Sequence, residues 1–215
     1  MIHLAPYFLR MGCIGFALVL WFWTQKLISR KAPTGDRISD RLHDWTAPLH
    51  GWLLAHPRAA NKTLITTSAL IDLFGLFLIG AAIFGLTFRP FVALLLVFSL
   101  RQMCQGICTL PFPKGTIWHN PGFPSLLVTY GTSNDFFFSG HTAIAVIGAF
   151  EIAHVAPLWL AVVAGVIATL EAITVIILRA HYTMDVFAAV FAAWGCEIVA
   201  QHIAPTVDLW LGRVG

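Results

Sequence analysis

The sequence predicts an all-α protein, a single six-helix bundle embedded in a membrane, and three observations carry that prediction. Of 215 residues, 58% are hydrophobic and only 11% are charged, against about a quarter in ordinary soluble domains. Mean hydropathy is +0.80. The apolar residues also gather into stretches of roughly 20, the length a helix needs to cross the hydrocarbon core. A soluble fold could not cover its surface with 13 basic and 10 acidic side chains and keep so much apolar material inside. A formal charge of +3 is too small to point to nucleic acid.

Six stretches qualify as spans. The first, Phe8 to Ile28, is too long for the apolar region of a secretory signal and lacks a small-residue cleavage site. Leu64 to Phe88 and Pro90 to Leu110 follow, separated by Arg89 alone. The fourth opens near Phe136 and stops before Pro157, the fifth is Leu158 to Leu178, and the sixth is His181 to Ile203. Two sizeable loops remain, near 26–63 and 111–135, so the chain divides into an interfacial or loop segment at about 29–63 and catalytic helices at about 90–204. Ile38, Leu42, Trp45, Leu49, Trp52 and Leu53 form an amphipathic stretch that suits either a helix lying in the interface plane or an ordinary connecting helix. Cys13, Cys104, Cys108 and Cys196 fall inside spans without further soft ligands, so they read as small apolar packing residues.

Charge distribution gives an orientation. Lys26, Arg30, Lys31, Arg37, Arg41, Arg58, Lys62, Lys114 and Arg179 fall on the face of the odd-numbered loops, whereas Arg10, Arg89 and Arg213 fall on the other. The bias puts the odd-loop face inside.

Ionisable groups at membrane depth are costly, so each is a functional candidate. Asp72, Arg101, Glu151, Glu171, His181, Asp185 and Glu197 are such groups, with His141 just inside the fourth span. Alternating helix directions bring the starts of spans four and six, and the ends of three and five, to one face. His181 and Asp185 are four apart and share a helix face, so the carboxylate can orient the imidazole. Ser139-Gly140-His141 opens a helix, where free N–H groups favour an anion, Gly140 permits close approach and the Ser139 hydroxyl can donate. Arg101 and Arg179 are fork-shaped donors suited to phosphate oxygens. Taken singly, His141 reads as a cap and Arg179 as a snorkelling anchor. Together the set describes phosphoryl transfer with no metal and no cofactor.

These residues resemble the type 2 phosphatidic-acid phosphatase superfamily. Within it they are most similar to the sphingomyelin-synthase-related branch and to the plant phosphatidylcholine:diacylglycerol cholinephosphotransferases. The resemblance rests on Phe138-Ser-Gly-His141-Thr, on Arg179-Ala-His181-Tyr-Thr-Met-Asp185, and on Leu100-Arg101 leading to Thr109-Leu-Pro111 and Pro113. It implies a triad of His141, His181 and Asp185. His181 would attack phosphorus and form a phosphohistidine, Asp185 would orient it, and His141 would protonate the leaving oxygen. Ser139, Gly140, Arg179 and Arg101 would bind phosphate, with Glu171 and Tyr182 in support.

The implied substrates are a phospholipid donor and a lipid-alcohol acceptor, diacylglycerol or ceramide. The implied location is a multi-pass position in a bacterial inner membrane or the endoplasmic reticulum. The resemblance to sphingomyelin synthases implies a catalytic face outside, opposite to the charge bias. Where the phosphatases carry a lysine seven residues before the arginine, this chain has Leu94, and where they carry an arginine six before the second histidine it has Val175. Both departures lower the alternative, a lipid phosphate or pyrophosphate hydrolase. A noncatalytic scaffold or transporter is the third reading, and the intact histidine–aspartate set argues against it.

Three further expectations concern the surroundings. Arg101 lies nine residues before Leu110, roughly 13 Å along a helix, deep enough to pair with Asp72, Glu151 or Glu171 beneath the site if it does not reach phosphate. His43, His50, His56, His119, His154 and His202 read as solvated or interfacial. The loop from Lys114 to Asn134 suits a lid or a passive connector.

Overall fold

The computed structural model describes residues 5–30, 38–130 and 137–213. Phe136, Lys31 and Arg37 lie outside the described residues. The described residues form eight helices: α1 (Ala5–Ile28), α2 (Arg41–Trp45), α3 (Ala47–Ala55), α4 (Pro57–Phe84), α5 (Arg89–Ile107), α6 (Gly140–Val155), α7 (Leu158–Ile177) and α8 (Thr183–Arg213). No strand occurs among the described residues.

Five of these, α1, α4, α5, α7 and α8, are long and apolar enough to cross a membrane. The expected sixth, α6, has only 16 residues, about 24 Å of rise against a core of about 30 Å. Its start lies against Arg101 of α5, whose Nε donates to Phe138 O. α8 instead runs ten residues past the expected Ile203, through Pro205.

Proline and capping signals explain most helix starts. Pro57 and Pro90 open α4 and α5 where a missing N–H costs nothing. Ser139 caps α6, and Pro157 precedes α7. The main core lies between α4, α5, α6 and α8, around Phe74, Leu78, Val97 and Ile147. Small residues suit the packing of α6 against α8, and Ala143, Ala145, Ala189, Ala193 and Ala200 are all buried in this core. A Cβ at Gly148 would lie 2.3 Å from Phe74 Cδ1, so glycine there admits the α4 ring. α1 packs peripherally, burying only Ile14, Gln25 and Ile28.

Polar ties gather at the two ends of the bundle. At one end Arg89 grips Glu151 through Nε and NH2 at 2.8 and 2.7 Å and reaches Glu197 at 3.5 Å. At that end Thr87 and the Phe88 amide also donate to Asp208. The other end holds His43, His50, His141 and His181.

Candidate active site

The start of α6 builds one wall. Ser139 Oγ accepts from the Thr142 amide at 3.3 Å and from its hydroxyl at 3.0 Å, an N-cap that leaves the serine fully buried. The Ser139 amide donates to the Asp185 carbonyl, which joins the starts of α6 and α8. Arg101 Nε donates to Phe138 O at 2.6 Å. A Cβ on Gly140 would stand 3.5 Å from that same Nε, an ordinary van der Waals contact, so the guanidinium lies directly against the first turn of α6. A fixed cation and a positive helix end thus act on the same small volume, which favours a phosphate.

The α7–α8 connection supplies the second wall. His181 Nδ1 is 3.6 Å from Asp185 Oδ2, and both residues are buried. Asp185 Oδ2 also accepts from the Tyr182 amide at 2.9 Å. This is the back-reaching half of a capping box, and it fixes the carboxylate before any substrate arrives. Tyr182 donates its hydroxyl to Pro111 O, so its polar end ties α8 to the chain leaving α5. Arg179, in the left-handed region at φ 53°, sends NH1 to Lys114 O at 2.8 Å and NH2 to His43 O at 3.5 Å.

His141 and His181 line one cavity of about 40 Å³ with Arg101, Gly140 and Trp118. The structure therefore brings together four of the expected site residues. Asp185 stands behind His181, whereas Ser139 and Arg179 lie outside the cavity lining and serve the local backbone. The loop after α5 folds over this cavity. Trp118 meets His141 edge-on, with ring centroids 5.0 Å apart, and donates Nε1 to Thr129 O. Tyr130 packs on Trp118 and bonds Ser68 on α4. Asp72 accepts from the Leu126 and Leu127 amides, each at 2.9 Å. The described part of the loop is accordingly built into the site.

Pairing of Arg101 with a buried acid is not what the structure holds for the three candidates. Glu151 takes Arg89, Glu171 accepts from the Thr67 hydroxyl, and Asp72 takes the loop amides. Counting residues along α5 did not show that α6 starts against Arg101, which places the arginine at the cavity.

Two histidines also depart from expectation. His43 and His50 are buried, not solvated. His43 Nε2 lies 3.0 Å from His181 O, and His50 Nδ1 lies 2.8 Å from Ile177 O. Both polar contacts are to carbonyls at the end of α7 and the turn after it, where helical partners run out. His56, His119, His154 and His202 are exposed. Beside His43, Asp40 accepts from Leu42 and His43 at the start of α2, and from the Thr183 amide and hydroxyl, both at 2.6 Å, at the start of α8. Burial raises its pKa, but the Thr183 hydrogen bonds and the nearby His43 outweigh that and hold it below the ordinary value. Burial lowers the pKa of His50, with Arg179 acting in the same direction against the pull of the Ile177 carbonyl.

A family model described as AtPDCT1/2, that of phosphatidylcholine:diacylglycerol cholinephosphotransferases, matches residues 40–202. The chain belongs to this family. The match begins at Asp40, the residue that caps both α2 and α8, and it takes in every site residue named above. It leaves out α1 and the last turns of α8. No curated protein and no solved structure matches the chain.

Sequence reasoning missed the brace formed by Asp40, His43 and His50, and it missed Trp118. Asp40 had a legible signal, an acid at a helix start. Nothing local marks His43, His50 or Trp118, because their partners lie far away in the chain.

Proposed function

We propose that the protein moves phosphocholine from a glycerophospholipid to diacylglycerol, or to a similar lipid alcohol, through a phosphohistidine on His181. The observation that carries this reading is the shared cavity, in which two buried histidines from different helices meet Arg101 and the first turn of α6. Membership of a cholinephosphotransferase family supports the choice of head group.

The chemistry follows from the atoms. Asp185 sits on the Nδ1 side of His181, which makes Nε2 the attacking nitrogen. As the P–N bond forms, the P–O bond to the diacylglycerol of the donor breaks, and His141 delivers a proton to the departing oxygen. Asp185 stabilises the charge that develops on the imidazole, and the 3.6 Å separation closes to a hydrogen bond as it does. Arg101 and the α6 amides hold the phosphoryl oxygens. In the second half His141 takes the proton of the acceptor hydroxyl, whose oxygen displaces His181. One phosphodiester replaces another, so the net reaction is close to isoenergetic, and water must be kept from the intermediate. A roof made of Trp118, Leu127 and Val128 suits that need.

The test uses purified protein with phosphatidylcholine labelled in its head-group phosphorus. Base-stable, acid-labile label on wild-type protein, absent from His181→Ala and passed to added diacylglycerol, supports the reading. Label released only as water-soluble phosphocholine in the presence of diacylglycerol overturns it.

A further inference from the structure

We infer that a fatty-acyl chain of the lipid substrate lies in an apolar passage between α1, α4 and α5, with Leu127 as its gate. The inference rests on the lipid-transferase reading above. A second cavity of about 70 Å³ is lined entirely by apolar residues from these helices, α6 and the roof loop. It shares Trp21, Phe98, Leu127 and Ile144 with the histidine cavity. A polar chamber and an apolar one joined through a common wall have the form of one amphiphile, head group at the histidines and tail beyond Phe98. The far wall includes Leu95, which is 48% exposed on the outer surface of the bundle. A tail leaving there meets the hydrocarbon of the bilayer.

Leu127 occupies the junction against Gly75. A Cβ at position 75 would overlap Leu127 Cδ1, so a larger residue there displaces the tip of the leucine. Asp72, three residues earlier on the same face of α4, holds the Leu126 and Leu127 amides. One helix face thus provides both the anchor for the gate and the recess it fills. Trp21 belongs to α1, outside the residues that the family model matches. A larger apolar cavity of about 470 Å³ adjoins Asp185 and Tyr182 through Leu110 and Met184, but neither histidine lines it.

Photolysis of the full-length protein in lipid nanodiscs, with phosphatidylcholine carrying a diazirine in mid-chain, tests the passage by peptide mapping. Phe91 and Ile144 are 6% and 5% exposed, so bulk lipid does not reach them. Adducts on these two residues are expected in wild-type and in His181→Ala protein, severalfold stronger in Leu127→Ala and lost in Gly75→Leu. Adducts confined to outward-facing residues, or to Leu110 and Met184, overturn the passage even where head-group transfer is intact. Adducts on Phe91 and Ile144 without any transfer to diacylglycerol sustain the passage and overturn the transferase reading. Leu127→Ala carries the gate test if Gly75→Leu does not fold.

Discussion

His43 Nε2 and the carbonyl oxygen of His181 are 3.0 Å apart, the imidazole donating, so the segment before α4 holds the backbone of the proposed nucleophile. His43 also stacks on Tyr182, with ring centroids 5.7 Å apart. Replacing His43 by alanine leaves the His181 carbonyl buried without this donor, at a cost of about 1–3 kcal/mol. The expected result is a lower thermal midpoint and a kcat reduced about tenfold, equivalent to about 1.4 kcal/mol of barrier. Transfer kinetics and thermal unfolding of the same preparation check both. An unchanged kcat would remove His43 from any role in positioning His181.

Asp40 links two helix starts that are distant in sequence. Its pKa is held below the ordinary carboxylate value, so the folded state binds the proton less readily than the unfolded one. The contribution is therefore complete above about pH 4, the ordinary value, and is lost as pH falls through the lower folded one. In Asp40→Asn the loss of the charged caps costs about 1 kcal/mol. The difference in unfolding midpoint between wild-type and variant should stay constant near neutrality and shrink in acid. A difference that grows in acid would reverse the assignment.

Arg89, Glu151 and Glu197 form a cluster at the end of the bundle opposite His141 and His181. Arg89→Ala strands two carboxylates that are 1% and 2% exposed, and destabilises by about 3–5 kcal/mol. Adding Glu151→Leu to an Arg89→Met protein restores part of that loss, because one of the two uncompensated charges goes while Glu197 remains. Turnover per folded molecule is expected to match wild-type in the double variant. Unfolding and transfer assays on the single and double variants decide the matter.

Trp118 meets His141 edge-on, and in the proposed mechanism that contact positions the imidazole. Trp118→Phe keeps an aromatic edge and is expected to retain most activity. Trp118→Ala opens the roof and frees the imidazole, lowering kcat by about 10²-fold, the scale of a displaced acid–base group. The product ratio adds a second readout, since an open roof raises hydrolysis relative to transfer. A KM effect alone, with kcat and product ratio intact, would make the tryptophan part of lipid binding instead.

Much of the site could be read along the chain because helix geometry makes short spacings meaningful. His181 and Asp185 meet through their separation of four, and Ser139 caps α6 through its position before a helical run. Alternating spans bring His141 and His181 to one end of the bundle, and they share a cavity there. Depth was the quantity that chain position could not supply. α6 is short and begins level with Arg101, so counting residues from the end of α5 placed the arginine too far below the chemistry.

Composition and periodicity by themselves determined an all-helical chain with several helices long and apolar enough to cross a membrane. Bilayer thickness and helix pitch leave few other readings of such a chain. Tertiary structure decided which polar groups serve the backbone and which face the cavity. Arg179 turned to the Lys114 and His43 carbonyls, His43 and His50 turned inward to the α7 end, and Arg89 took the buried acids. Those choices depend on donors and acceptors separated by tens of residues. Each buried polar group must find a partner wherever the packing puts one, and local spacing carries no record of that search.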